Sequence, residues 1–151
     1  MIHSSFKHGK NFKIGDYCVI EKDVWVGNNV TIKNFVELRA GTVIGNDVYI
    51  DSYVRSSGQN IIGNNVILRF GCTIARLVSI QDGVFIAPNV MTIHDENKGV
   101  TIIGENCKIF TGAIIGAGVI IYNNIIVGAQ AFVNKNCTEP GIYIGVPARK
   151  I

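Results

Sequence analysis

The sequence repeats with a period of six residues. One register starts at Ile14 and holds Ile, Leu or Val at eighteen of its twenty positions, if five extra residues are allowed after Thr92. The exceptions are Ser56 and Thr92 themselves. A second register, four residues later, holds small or β-branched side chains at eighteen of nineteen positions, with Asn60 as the exception. Gly, Asn and Asp stand between the registers, where they favour tight turns because they tolerate positive φ.

A longer period of eighteen residues overlies the first. The segment 26–30, Val-Gly-Asn-Asn-Val, returns in closely similar form at 44–48 and 62–66. The chain contains 25 Ile and 17 Val but only 3 Leu, which favours strands over helices. Because eighteen is three sixes, we predict an all-β fold, a parallel β-helix of about six to seven triangular coils. The repeat covers residues 14–138, and residues 1–13 and 139–151 are expected to cap the two ends.

Composition narrows the classes of protein further. Apolar residues make up 48% of the chain and charged residues 17%, which excludes a disordered chain. A net charge of +3 without a basic cluster indicates no nucleic-acid partner. No apolar run is long enough for a transmembrane segment, and the first fifteen residues lack the apolar core of a signal peptide, so a cytoplasmic location is expected. All four cysteines fall in the small inward register, which predicts buried free thiols rather than disulfides or a metal site.

The repeat is interrupted once, by a predicted loop over residues 92–102 that carries His94. A histidine can act as a general base near neutral pH, which is what deprotonating a hydroxyl or an amine requires. Asp95 is a candidate to orient the ring. The alternative is a solvent-exposed loop without a catalytic role.

The eighteen-residue period also predicts which side chains share an edge of the prism. Arg76 falls at the position of His94 one coil earlier, and Lys135 falls there two coils later. Such a cationic edge would attract a phosphate-bearing or acidic ligand. Scattered solubilising charges are the alternative reading.

These features together resemble the hexapeptide-repeat acyltransferases, in the branch of galactoside, maltose and polysaccharide O-acetyltransferases. The likeness rests on the hexads, on the loop histidine that follows residues 86–90 (Ile-Ala-Pro-Asn-Val), and on the ending Gly-Val-Pro-Ala-Arg-Lys-Ile at 145–151. It implies a left-handed β-helix that forms a homotrimer with active sites between subunits. It also implies acetyl-CoA as donor, no required metal, and His94 as the catalytic base.

The resemblance carries over to further positions. For the acetyl-CoA donor it implies contacts from Thr111, Gly112, Ala129, Asn134, Lys135 and Arg149. Backbone N–H groups near Thr111 and Gly112 are candidates to stabilise the oxyanion. Candidates for the acceptor are Arg69, Arg76, Asn89 and Asp95.

We therefore predict an enzyme that moves an acetyl group from acetyl-CoA to a hydroxyl of a sugar or polysaccharide precursor. The alternative acceptor is the amine of an amino sugar or sugar nucleotide. A different class, a non-catalytic β-helix that binds or scaffolds, stays open. A zinc site of the carbonic anhydrase type is disfavoured because only one histidine lies within the repeat.

Overall fold

The computed structural model describes all 151 residues, as 23 short strands joined by tight turns and one longer loop. In chain order the strands are β1 (Lys7–His8), β2 (Lys13–Ile14), β3 (Val19–Ile20), β4 (Trp25–Val26), β5 (Thr31–Ile32), β6 (Glu37–Leu38), β7 (Val43–Ile44), β8 (Tyr49–Ile50), β9 (Arg55–Ser56), β10 (Ile61–Ile62), β11 (Ile67–Leu68), β12 (Thr73–Ile74), β13 (Val78–Ile80), β14 (Phe85–Ile86), β15 (Met91–Thr92), β16 (Thr101–Ile103), β17 (Lys108–Ile109), β18 (Ile114–Ile115), β19 (Ile120–Ile121), β20 (Ile125–Val127), β21 (Phe132–Val133), β22 (Gly141–Ile144) and β23 (Arg149–Lys150).

Every third strand belongs to the same sheet, and the three sheets form the faces of a prism. The first face is β1-β4-β7-β10-β13-β16-β19, the second is β2-β5-β8-β11-β14-β17-β20-β22-β23, and the third is β3-β6-β9-β12-β15-β18-β21. All pairs are parallel except the last, in which β23 runs antiparallel to β22. The predicted all-β parallel solenoid is confirmed, and its geometry is consistent with the expected left-handed β-helix.

Three edges join the faces, and we name each by one of its residues. The Asn46 edge, between the first and second faces, comprises residues 9–11, 27–29, 45–47, 63–65, 81–83, 104–106 and 122–124. The Thr111 edge, between the second and third faces, comprises 15–17, 33–35, 51–53, 69–71, 87–89, 110–112 and 128–130. The His94 edge, between the third and first faces, comprises 3–5, 21–23, 39–41, 57–59, 75–77, 93–100, 116–118 and 134–136.

Partner strands up to β21 are offset by one coil of eighteen residues, and β22 follows β20 at an offset of sixteen. Ile61 pairs with Val43 at the offset of eighteen. Across the loop the offset becomes 23, as in the pair Ser79 and Ile102, so the five extra residues are absorbed at one edge without shifting the strands. Nearly every edge segment holds one residue of positive φ, directly before the small inward residue, and many of these residues are Asn, Asp or Gly. The turn chemistry expected from the sequence is therefore present.

The core is one cluster of 38 buried hydrophobic side chains that runs the length of the prism. Its largest members are the Ile and Leu residues of the first register, and all four cysteines are buried and free, as predicted. Burial raises the pKa of the Cys72 thiol to about 12 and that of Cys137 to about 11. The thiols therefore behave as small apolar side chains in the core.

The two ends differ from the prediction in one respect. Residues 1–13 were expected to lie outside the repeat, but they form a coil of it, because Ile2 bridges to Ile20 and Lys7 pairs with Trp25 at the same spacing of eighteen. With this coil and β22, the solenoid has about eight turns rather than six to seven. Backbone pairing does not need an Ile in every hexad, so His8 can stand in the large register. No helix of the structure is of a length and hydrophobicity that would let it cross a membrane.

Candidate functional site

The loop that interrupts the solenoid begins directly after β15 and ends at β16. Thr92 and Thr101, the residues at its two ends, are buried. The Thr92 hydroxyl accepts a hydrogen bond from the backbone of Ala75 (2.7 Å), and the Thr101 hydroxyl accepts one from the backbone of Gly118 (2.9 Å). Side chains inside the core thus fix both ends of the loop to the coils below and above it. The loop itself spans 93–100, slightly shorter than the predicted 92–102.

His94 is the second residue of the loop and is half-buried. Its ring takes part in none of the side-chain hydrogen bonds or ion pairs formed within the chain. The following residues make other contacts: the Asp95 carboxylate accepts a hydrogen bond from the backbone of Asn97 (2.9 Å), and Lys98 packs against the corner at Gly118. The imidazole is therefore left available to an incoming group, and Asp95 orients its own loop rather than the ring.

Strand register places Arg76, His94 and Lys135 on the His94 edge. Thr73 pairs with Met91, which puts Arg76 one coil below His94, and the pairs from Met91 to Ile114 and from Ile114 to Phe132 put Lys135 two coils above it. Coils are about 4.8 Å apart, so Arg76 and Lys135 lie at roughly 5 and 10 Å along the axis from His94. No carboxylate pairs with Arg76 or Lys135. The predicted alignment of these three residues is therefore confirmed, but the edge also carries the carboxylates of Glu21, Asp23, Asp95 and Glu96, so it is of mixed charge.

The C-terminal tail adds Arg149 to this edge. After β22 the chain folds back over the end of the prism, where Ala148 is bound through its backbone to Phe132 (2.7 Å). The Arg149 guanidinium then donates a hydrogen bond to the Asn134 side chain (3.1 Å). Asn134, Lys135 and Arg149 are thus brought together at the C-terminal end. Their chemistry suits the phosphates of the expected donor, because exposed Lys and Arg without carboxylate partners bind phosphate oxygens.

The other predicted donor residues lie on a different edge. Thr111, Gly112 and Ala129 belong to the Thr111 edge, and Thr111 and Ala129 occupy successive coils there. Gly112 has a φ of +70°, and its N–H already donates to the carbonyl of Pro88 (3.1 Å). The expected oxyanion role of the Gly112 N–H is therefore wrong, because this group is used within the stack. The Thr111 N–H takes part in no backbone hydrogen bond.

The four acceptor candidates do not form one group. Arg69 and Asn89 lie on the Thr111 edge, where Arg69 forms an ion pair with Asp51 (3.4 Å). Arg76 and Asp95 lie on the His94 edge. Within one chain, the third face separates the two pairs by about six extended residues, roughly 20 Å.

The largest hollow of the structure does not coincide with the candidate site. The largest hollow, of about 550 Å³, lies on the Asn46 edge next to Tyr122 and Glu105, and no His, Lys or Arg lines it. No three His, Cys, Asp or Glu side chains lie together in a group that could hold a metal ion.

Sequence reasoning missed one feature of the His94 edge. Thr42, Ser56 and Asn60 form a buried chain of hydrogen bonds beneath Arg76, with Thr42 to Ser56 at 2.7 Å and Ser56 to Asn60 at 2.6 Å. The signal was present, since Ser56 and Asn60 are exceptions to the two inward registers and fall within one coil.

Comparison with known proteins agrees with this geometry. The family model of the bacterial transferase hexapeptide (six repeats) matches residues 7–40. No curated protein matches the sequence. Among solved structures, a maltose O-acetyltransferase from Clostridium difficile 630 is 26% identical over 74% of this chain and 68% of its own, with a TM-score of 0.65. These matches confirm the resemblance to the hexapeptide-repeat acyltransferases.

Two more distant structures share the fold. A UDP-N-acetylglucosamine acyltransferase from Bacteroides fragilis 9343 is 18% identical over 99% of this chain and 71% of its own (TM-score 0.75). A GDP-perosamine N-acetyl transferase from Caulobacter crescentus, solved with CoA and GDP-perosamine, is 19% identical over 99% of this chain and 55% of its own (TM-score 0.60). The chain therefore has the fold of acyltransferases that include both O- and N-acetyltransferases.

Proposed function

We propose that the protein transfers an acetyl group from acetyl-CoA to a hydroxyl of a sugar or polysaccharide precursor, with His94 as the general base. One observation carries the proposal: the five-residue insertion in the eighteen-residue register presents a half-buried histidine, unbonded within the chain, between Arg76 and Lys135, neither of which is paired with a carboxylate. The similar structure with CoA supports an acyl-CoA donor.

The mechanism is a direct transfer. The imidazole of His94 removes the proton of the acceptor hydroxyl as its oxygen attacks the thioester carbonyl, and the thiolate of CoA leaves. The free N–H of Thr111 is the candidate donor to the oxyanion, and Lys135 and Arg149 hold phosphate groups of the donor.

The separation of the two edges favours an active site between subunits. His94 and Thr111 of one chain are too far apart to act on one thioester, so the site needs the His94 edge of one chain and the Thr111 edge of another. A homotrimer closes such a head-to-tail contact into a ring, which leaves no unused copy of either edge. We also place the protein in the cytoplasm, since four free buried thiols suit a reducing compartment.

The test measures CoA release with a panel of neutral sugars, amino sugars and sugar nucleotides. We expect His94→Ala to lower kcat about 10²- to 10⁴-fold while CoA still binds, because only the proton transfer is lost. His3→Ala, on the same edge but in the first coil, five coils below His94, is the matched control and should retain activity. Full transfer by His94→Ala would exclude the proposed base, and transfer only to amino sugars would favour the N-acetyl alternative.

If no acceptor releases CoA and CoA does not bind, the non-catalytic binding or scaffold class is the better description.

A further inference from the structure

A second hollow lies on the His94 edge, below the loop. Its volume is about 210 Å³, and it is lined by Arg39, Gln59 and Arg76 together with Gly58, with Glu21 at its far end. Arg76 stands one coil below His94, and Arg39 lies two coils further down the stack, at about 4.8 Å per coil. The hollow thus begins next to the proposed base and extends away from it along the edge.

The arginines around the hollow differ in whether a carboxylate neutralises them. The Glu37 carboxylate bonds Arg39 at 2.7 Å, and this hydrogen bond and its charge raise the pKa of the Arg39 guanidinium. The Glu21 carboxylate accepts a hydrogen bond from the backbone of Ala40 (2.9 Å). Arg76 has no carboxylate partner, and its Nε donates instead to the neutral side chain of Gln59 (2.7 Å). Gln59 therefore holds the guanidinium in place without neutralising it, and the two terminal nitrogens stay free for an anion.

Buried polar groups support this corner from inside the core. Thr42, Ser56 and Asn60 are at most 1% exposed, and elsewhere the inward registers are almost wholly apolar. The Asn60 amide donates to the carbonyl of Ala75 (2.6 Å), and the backbone N–H of Ala75 donates to Thr92, two residues before His94. Side chains thus hold the backbone directly before Arg76 from both the coil below and the coil above.

A polar network in an apolar core is costly unless it is fully bonded, and here every buried polar side-chain atom has a partner. A regular stack needs no such network, since most other coils have Val, Ile or Leu at these positions, with Thr92, Thr101 and Cys137 as the exceptions. Its place directly beneath Gln59 and Arg76 indicates that it holds these residues rather than the solenoid as a whole.

We propose that this hollow binds an anionic group of the acceptor, a phosphate or a carboxylate, with Arg76 as its main ligand, Gln59 as a positioning residue and Arg39 at the outer end. This inference specifies the acceptor of the proposed function. It rests on that function only in taking the bound molecule to be the acceptor. It makes the acceptor a sugar phosphate, a sugar nucleotide or an acidic sugar rather than a neutral sugar.

The first experiment needs neither donor nor catalysis. The full chain is titrated at low salt with inorganic pyrophosphate, with glucuronate and with neutral glucose, and binding is followed through the arginine Nε–H signals in NMR. We expect one or both anions to bind and glucose not to bind. Tighter binding of pyrophosphate identifies a phosphoryl acceptor, and tighter binding of glucuronate identifies a carboxylate.

Two variants locate the binding. Arg76→Gln should weaken anion binding about ten- to fifty-fold, since a charge-assisted pair is lost. Lys10→Gln removes one exposed positive charge on the Asn46 edge and should leave the affinity unchanged. Equal weakening in both variants, or anion binding no stronger than that of glucose, would overturn the proposal.

A third variant tests the network. Ser56→Ile combined with Asn60→Val restores both registers, so we expect a melting temperature no lower than that of the wild type but weaker anion binding, because Arg76 loses its support. Thr42→Val replaces it if the double variant does not fold. Unchanged anion affinity would overturn the positioning role of the network.

The experiments distinguish a failure of the anion-subsite proposal from a failure of the transferase proposal. If anions bind at Arg76 but no acceptor releases CoA, the subsite stands and the transferase proposal fails. If neutral sugars are acetylated as well as charged ones and Arg76→Gln leaves KM unchanged, the transferase stands and the subsite proposal fails.

Discussion

Asparagine side chains on the Asn46 edge bond one coil to the next. The Asn46 Oδ1 accepts a hydrogen bond from the backbone of Asn28 (2.8 Å), and Asn64 does the same for Asn46 (2.7 Å). The glycine before each asparagine makes room for this contact. At Gly27 an added Cβ would overlap Asn46 Oδ1 and lie 2.7 Å from the carbonyl oxygen of Gly45. Glycine is required at this position because the next coil approaches its backbone closely, and not because of its φ.

This contact predicts the effect of an added methyl group. Gly27→Ala should destabilise the protein by about 1–3 kcal/mol, because the coil must shift or give up a hydrogen bond. Gly99→Ala is the matched control, since an added Cβ there meets nothing within 4 Å. Urea unfolding of both variants measures the difference, and equal midpoints would contradict the overlap.

The buried thiols predict a loss of stability in alkali. The folded state keeps Cys72 protonated to about pH 12, whereas the exposed thiol ionises near 9. The unfolded chain therefore loses its proton first, and stability should fall as the pH rises from about 9 toward 12. Cys72→Ala should show a shallower fall in melting temperature between pH 7 and pH 10.5 than the wild type. Parallel curves would show that Cys72 does not contribute.

The burial of single residues could be predicted from the sequence where their environment is periodic. Burial of the Ile register and of the cysteines follows from spacing alone, because each position meets the same neighbours one coil away. Ser56 and Asn60 could be recognised as exceptions but not interpreted, since their hydrogen bonds join residues 14 and 15 positions apart across the core.

At the scale of elements, the loop is separable from the stack. The strands on both sides of it pair as if the five extra residues were absent, and residues 94–100 contribute no buried side chain. Its position was visible in the sequence because it changes the period. The coil at residues 1–13 was not, because Lys7 and His8 do not continue the apolar pattern.

Shortening the loop tests this separation. Deleting residues 95–99 restores the spacing of eighteen and keeps His94. We expect β-sheet circular dichroism and a melting temperature within about 5 °C of the wild type, since no core contact is lost. CoA release should fall at least about tenfold, because the ring loses its positioning.

Deleting residues 45–47 at a regular corner is the control and should unfold the chain, since it breaks the strand register. Unfolding of the loop variant as well would show that the loop is part of the stack.

The whole molecule is a prism whose proposed catalytic groups lie on two edges. The period of the sequence reveals three sides but not the hand of the coil, since the same spacing fits either hand. It also cannot reveal the partner chains. The position of Thr111 on one edge and His94 on another follows only once residues are assigned to faces.

Mixed subunits test whether the site is shared. His94→Ala lacks the base, and Ala129→Trp should block the donor wall from an exposed position on the Thr111 edge. Each variant alone should be inactive. Co-expressed chains should recover about one quarter of the wild-type activity, because a site that takes one edge from each of two chains is intact in that fraction of random pairings.

No recovery in mixtures whose subunits have demonstrably exchanged would place the whole site in one chain.

The side-chain hydrogen bonds that join one coil to the next on the Asn46 edge all point in one direction along the stack. In each, the N–H belongs to one coil and the accepting oxygen to the residue eighteen positions later, from Lys10 and Asn28 to Glu105 and Asn123. A chain that emerges from the ribosome N-terminus first therefore completes a coil only when the next coil has followed it. The free energy of unfolding of such a chain therefore increases in steps of eighteen residues during synthesis. The most recently formed coil is always the least stable.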